Sequence, residues 1–338
     1  MTHLSEFALI ERYFTRRPGQ PTSTGADTGS QTATAPGIAV GIGDDCALLA
    51  PAPGMQLAVS TDMLVEGRHF LSTVAPARLG HKALAVNLSD LAACGARPLA
   101  FTLSLSLPSV EESWLGAFSS GLFALADAHR CTLVGGDTTR GPLNISITVF
   151  GEVPAGAALL RSTARAGDDI WVSGSLGDAR LALEVFRGTL ALPSAQFETA
   201  RARMETPTPR IALGQALRGI ATAAIDISDG LVGDLGHILE ASAMGATLNV
   251  DAVCALLAAG TDIDIELQRR CTLAGGDDYE LCFTADSNVR DSVERAGRDT
   301  GTRVSRIGRV DVEDGMRLRT AGGEALVARY ASFDHFAS

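Results

Sequence analysis

Five times in this chain an apolar run gives way to a short turn rich in glycine and aspartate: GIGDD (41–45), STD (60–62), GGDTTRG (135–141), DISDG (226–230) and GGDDYE (275–280). Apolar strand, polar turn and helix in succession build layered α/β folds, whose strand ends converge on a rim where ligands bind. The segments between the turns fit that scheme. MQLAVSTDML, from Met55, predicts a strand ending in polar residues. ARLGHKALAVNLSDLAACGARP, from Ala77, predicts a helix with Leu84, Leu88 and Leu91 on its apolar face, stopped by Gly95 and Pro98. LAFTLSLSLP alternates with period two and predicts a half-buried strand, VEESWLGAFSSGLFALADAHR a helix, and CTLVGGD and LNISITVFGEVP two strands joined by a polar turn. GDDIWVSGSLGDARLALEVF and TAAIDISDGLVGDLGHILEASAMGA each predict strand, turn and helix, and GGDDYELCFTA and RVSRIGRV predict further strands. The expected fold class is α/β (α+β) in two domains, 37–154 and 155–338. Ahead of them, the Phe7, Ile10, Phe14 spacing predicts a short amphipathic helix within 1–16. Residues 17–36 carry almost no large apolar side chain and predict a mobile surface loop.

Taken singly, each turn reads first as ordinary turn chemistry, since Gly-Asp pairs are common in solvated turns. Asp229 reads as a helix cap, Ser60 and Thr61 as strand-end hydroxyls, Asp90 as a solvated helix-face charge and His69 as a structural histidine. Asn87 and Asp90 are three residues apart and share a helix face, expected to lie at least partly away from the leucine stripe. Together the turns say more. Carboxylates and hydroxyls gathered on one rim repel each other unless cations lie between them. Hard oxygen donors without His or Cys select Mg²⁺, Ca²⁺ or Mn²⁺, and Mg²⁺ usually bridges to substrate phosphates. The residue types alone therefore point to a multi-metal site for a polyphosphate.

Other chemistries are excluded. The formal net charge of −11 and the lack of a basic run argue against nucleic-acid binding. No Walker-A motif or nucleophile elbow is present, and GIGDDC lacks the third glycine of a dinucleotide fingerprint. The six cysteines form no C-x-x-C pair, which leaves zinc and a disulfide framework without support and suits buried thiols in a reducing cytoplasm. No apolar run reaches a membrane span, and MTHLSEFALIERYF lacks the apolar block of a secretory leader.

The segments GIGDDCALL, STDMLVEGRHF, HKALAVNLSDLAACGARP, GGDTTRGPL, AAIDISDGLVGDLGHILEAS and GGDDYELCFT closely resemble the thiamine-monophosphate kinase family, of the aminoimidazole ribonucleotide synthetase and selenophosphate synthetase superfamily. The resemblance runs from EFALIERYF to FDHF, and the 17–36 segment stands outside it. It implies an enzyme that phosphorylates thiamine monophosphate with ATP, two α/β domains, and a homodimer formed through the N-terminal domain. It implies Mg²⁺ at Asp45, Ser60, Thr61, Asp62, Asp90, Asp137, Asp226 and Asp229, ATP contacts at Gly136, Asp137, Arg161 and Ser228, and substrate contacts at His69, Asp277 and Phe333. Asp277 replaces the family's usual glutamate, Phe333 a frequent tyrosine and Cys94 a usual methionine. Aminoimidazole ribonucleotide synthetase, or a non-catalytic nucleotide or metal sensor on the same fold, is the alternative. The selenophosphate branch fits less well, because the first cysteine, Cys46, lies inside the acidic turn, and the hydrogenase-maturation branch needs a C-terminal cysteine where this chain reads FDHFAS.

Overall fold

The computed structural model describes residues 6–15, 36–260, 262–327 and 330. The 17–36 segment, Pro36 excepted, and Phe333 lie outside them. The chain divides into two compact units, Met1–Asn87 with Pro98–Ala155 and Leu88–Arg97 with Gly156–Ser338. Among the described residues no helix is long and apolar enough to cross a membrane.

The first unit opens with helix α1 (Glu6–Tyr13), which buries Leu9. Strands β1 (Ile38–Val40) and β2 (Leu48–Leu49) pair antiparallel and pack Ile38 against Leu99 and Val134. A four-stranded sheet follows, built from β3 (Met55–Val65), β4 (Arg97–Leu107), β5 (Thr132–Arg140) and β6 (Asn144–Pro154) in the order β3-β6-β4-β5. Strand β3 runs antiparallel to β6 along its whole length, and β4 runs parallel to β5. The burial of β4 alternates as its period-two sequence requires.

Helices α2 (Pro76–Ala93) and α3 (Glu112–His129) cross backbone to backbone at a glycine pair. A Cβ on Gly80 would lie 2.1 Å from Phe118 O, and one on Gly121 only 1.8 Å from Ala77 O. On the face shared by Asn87 and Asp90, Asp90 is half-buried and Asn87 is buried. Residues 82–89 are all buried, Asn87 at 1% exposure, because a helix rich in Ala and Leu all round is an interior helix.

The second unit contains β7 (Asp169–Ser173), α4 (Asp178–Phe186), α5 (Ser194–Glu205), α6 (Ile211–Ala216), β8 (Ala221–Asp226), α7 (Leu231–Ser242), β9 (Gly245–Asn249), α8 (Val250–Cys254), α9 (Ile265–Ala274), β10 (Leu281–Ala285), α10 (Arg290–Asp299), β11 (Val304–Asp311) and β12 (Met316–Arg319). Its six-stranded sheet has the order β12-β9-β11-β7-β10-β8. Only the β12–β9 pair is parallel; the other pairings are antiparallel. Ile170, Val172, Ile225, Cys282 and Ile307 line one face under Leu231, Leu235 and Ile238 of α7. The alternate residues Trp171 and Phe283 stack at 6.5 Å between centroids.

Candidate functional site

In the first unit, Ser60, Thr61 and Asp62 lie within β3, opposite Val149, Thr148 and Ile147 of β6, and not at a strand end as expected. Successive side chains of a strand point to opposite faces. Ser60 and Asp62 therefore share the half-buried face, while Thr61 lies on the exposed face and meets the Thr148 hydroxyl at 2.8 Å. The three side chains do not converge on one point. Asp62 is tied down through its backbone, whose N–H donates to Asn87 Oδ1 at 3.0 Å.

Gly136 and Asp137 also fall within a strand. The β-branched Thr138 and Thr139 carry β5 on to Arg140, paired with Leu105 and Ser106. Gly136 sits at φ +143° with its Cα so close to β4 that a Cβ would lie 1.9 Å from Leu103 O, so the backbone alone requires glycine here. Asp137 is exposed. Strands β3 and β5 are opposite edges of the sheet. Three inter-strand steps, about 14 Å across the strands, separate the strands that carry Asp62 and Asp137. Asp45 lies exposed in the 41–47 loop, as does Cys46, against the expectation of buried thiols; Cys131, Cys254, Cys271 and Cys282 are buried as expected.

His69 closes a turn after β3. Its Nδ1 accepts the Val65 N–H at 3.0 Å, so the neutral ring carries its proton on Nε2.

The second unit gathers more of the candidates. Burial, then the charges of Asp90 and Asp226, raise the Cys94 thiol's pKa, with Arg161 opposing them. The charges of Asp90, Asp226 and Arg161, from three separate segments, thus all act on one thiol. Asp226 ends β8, buried opposite Leu281. The DISDG and GGDDYE turns are strapped together by backbone bonds: Ile227 N–H to Glu280 O at 2.8 Å, Tyr279 N–H to Ile227 O at 2.8 Å and Asp277 N–H to Ser228 O at 2.7 Å. Ser228 is exposed and Asp229 half-buried on this assembly. Asp277 is held at φ +62° and Tyr279 at φ +52°, left-handed conformations that persist only where the surroundings impose them.

The remaining acids of these turns build structure. Glu280, fully buried, receives Arg210 in a two-pronged bond at 2.6 and 2.5 Å, the Ser173 hydroxyl at 2.5 Å, and Arg203. Asp278 is buried and accepts the Gly177 N–H at 2.9 Å; burial pushes its carboxyl well above the usual range. Asp229 is not the helix cap. The N-cap is Gly230, without a side-chain cap bond, and Asp234 Oδ2 reaches back from the first turn of α7 to accept the N–H groups of Ser228, Asp229 and Gly230 at 3.0, 3.1 and 3.0 Å. Burial, with Asp229's charge adding, raises the Asp234 carboxyl to about 7 against those three donors. The sequence reading passed over Asp234, although an acid in the first turn of a helix is a recognisable signal.

Among the described residues no group of three or more His, Cys, Asp or Glu side chains stands close enough to hold a metal ion. The donor chemistry, carboxylate and hydroxyl oxygen throughout, nevertheless fits Mg²⁺. That ion usually takes one or two carboxylates, keeps waters and shares substrate phosphates.

Two α/β units with acid-bearing strands and strapped Gly-Asp turns define a protein of the AIR synthase class: the family described as AIR synthase related protein, N-terminal domain, matches residues 43–153. The thiamine-monophosphate kinase of Salmonella typhimurium (strain LT2) is 45% identical over 335 residues, 98% of each chain. Among solved structures, thiamine-monophosphate kinase from Stenotrophomonas maltophilia K279a shares 46% identity with a TM-score of 0.79, over 86% of this chain and 93% of that one. AaThiL complexed with AMPPCP and TMP shares 28% identity with a TM-score of 0.72, over 85% and 89%. The chain belongs to the thiamine-monophosphate kinase family.

Proposed function

We propose that this chain transfers the γ-phosphoryl group of ATP to thiamine monophosphate, giving thiamine diphosphate and ADP. The observation that carries this reading is the 45% identity with a thiamine-monophosphate kinase across 98% of both chains. The AaThiL complex with AMPPCP and TMP, an ATP analogue and the acceptor, supports the same pair of substrates.

The nucleophile is a phosphate oxygen of thiamine monophosphate. A phosphomonoester has a second pKa of about 6 and is mostly dianionic at neutral pH, so the step needs no general base. The acceptor oxygen bonds to the γ-phosphorus as the bond to the ADP oxygen breaks, directly and in line. The protein's part is alignment and charge neutralisation. Asp45, Asp62, Asp90, Asp137, Asp226 and Asp229, with Ser60 and Thr61, are the groups that hold Mg²⁺, which when bound offsets the repulsion between the two anions. Gly136, Arg161 and Ser228 contact ATP; Arg161 adds a fixed positive charge beside Asp90 and Asp226. His69, Asp277 and Phe333 contact the acceptor, the histidine through its Nε2–H.

The working form is a homodimer through the first unit. The exposed apolar stripe Leu57, Val59 and Met63 on the edge strand β3 supports this, since a second copy covers such a face. The working compartment is the cytoplasm.

Incubating the protein with ATP, Mg²⁺ and thiamine monophosphate and measuring thiamine diphosphate tests the reading directly. Asp62→Asn and Asp137→Asn are expected to lower turnover by orders of magnitude with the fold intact. Near-normal kinetics of both at saturating Mg²⁺ would overturn the metal assignment.

A further inference from the structure

The start of α7 is where a phosphate would ordinarily be caught. Free N–H groups at a helix N-terminus point outward and favour negative charge. Here the N-cap Gly230 N–H and the two N–H groups ahead of it are already held. The N–H groups of Ser228, Asp229 and Gly230 converge at 3.0–3.1 Å on one oxygen of Asp234, which is 3% exposed. Two of the donors are the backbone of Ser228 and Asp229, given above to ATP and to Mg²⁺. The next link is equally direct: Ser228 O accepts the N–H of Asp277 at 2.7 Å, and Asp277 holds φ +62°.

We propose that Asp234 is a positioning residue for both substrates: its carboxyl clasps the 228–230 turn, presents the Ser228 and Asp229 side chains, and sets Asp277 through the Ser228 carbonyl. This inference rests on the kinase reading for the identity of the two substrates. In this reading polyphosphate meets the turn at the Ser228 hydroxyl and at cations held by Asp229.

The test compares wild type, Asp234→Ala and Asp234→Asn as full-length proteins, reading KM for ATP and for thiamine monophosphate at saturating Mg²⁺, kcat, the denaturant midpoint, and hydrogen exchange of the peptide spanning 226–232. The alanine variant is expected to raise both KM values about tenfold, the equivalent of one lost bond to a charged acceptor. The asparagine variant keeps an oxygen acceptor in the same place and is expected to stay within about threefold of wild type on both. Amides 228–230 are expected to be protected in wild type and in the asparagine variant, and to exchange fast in the alanine variant. Unchanged KM values in the alanine variant, with kcat lowered only in proportion to the folded fraction, overturn the proposal. Should that variant not fold, fast exchange of these amides in wild type, or a tenfold rise in both KM values in the asparagine variant, overturns it instead. Failure of wild type to form thiamine diphosphate sinks the kinase reading and leaves the exchange data, which need no turnover, to decide whether Asp234 holds the turn.

Discussion

The side-chain oxygen of Asn87 accepts the backbone N–H of Asp62 at 3.0 Å, and the Asn87 amide donates to Ala83 O at 3.0 Å. A buried residue of α2 thereby fixes the height of a candidate metal-holding aspartate on an edge strand. Asn87→Ala is expected to cost about 1–3 kcal/mol of stability, the penalty for stripping a buried polar group of its partner. Urea unfolding measures that loss. Turnover per folded molecule is expected to fall as well, because Asp62 is no longer pinned, and unaltered turnover in the folded fraction would assign Asn87 to packing alone.

Gly136 allows a sharper separation. It is one of the ATP contacts proposed above, yet its neighbour Leu103 O leaves 1.9 Å for a Cβ at a φ of +143°. Gly136→Ala is expected to lose at least about 2 kcal/mol from backbone strain before any contact with nucleotide is considered. The check is a denaturation curve without ligand. A variant as stable as wild type but weak in ATP binding would show that the glycine serves the ligand and that β4 and β5 part easily.

What the linear pattern showed and what it hid follow from the range of the interactions. Period-two burial in β4, the helical period of α2 and the Gly95 stop are local, and the structure keeps them. The same locality misplaced the chemistry. STD and GGDTTRG read as strand ends because polar residues follow apolar ones, but edge strands tolerate polar side chains, so β3 and β5 run on through both. The Asn87 face read as open because an amide is polar; its partners, Asp62 N–H and Ala83 O, are visible only once β3 is laid beside α2. Glu280 read as one more acid in a GGDDYE turn, and only the fold brings Arg203 and Arg210, some 70 positions away in sequence, onto it.

One such partner sets an acid limit on stability. Burial works to raise the pKa of Asp169, but its bonds to Arg290 at 2.5 and 2.9 Å and the charge of Arg306 outweigh burial and hold the carboxyl below its ordinary 3.8. A group depressed in the folded state contributes stability above its unfolded pKa and loses it as pH falls through the folded value. Below about pH 4 the protein is therefore expected to lose stability in part through this carboxylate. In Arg290→Gln that acid-linked loss is expected to shrink while stability at pH 7 is lower than wild type. Denaturant midpoints measured from pH 7 to pH 3 on both proteins give the two slopes. Equal slopes would remove Asp169 from the acid limit.

The GGDDYE turn lets structure and chemistry be separated within one hexapeptide. Glu280, at 0% exposure, is ion-paired with Arg210 and Arg203. Removing one member of a buried charge set strands the others, at a cost of about 3–5 kcal/mol. Asp277, two residues before the Tyr279 kink, has its backbone held by Ser228 at 2.7 Å and its φ at +62°. Asparagine tolerates that left-handed φ as well as aspartate does, so Asp277→Asn changes charge and leaves the turn alone. The two variants should therefore fail in opposite ways. Glu280→Gln is expected to lower the urea midpoint steeply while the folded fraction retains its KM for thiamine monophosphate. Asp277→Asn is expected to keep stability within about 0.5 kcal/mol and to raise that KM about tenfold, the equivalent of one charge-assisted contact. An Asp277→Asn protein with unaltered KM would mean that the shorter side chain standing where relatives carry glutamate does not reach the acceptor.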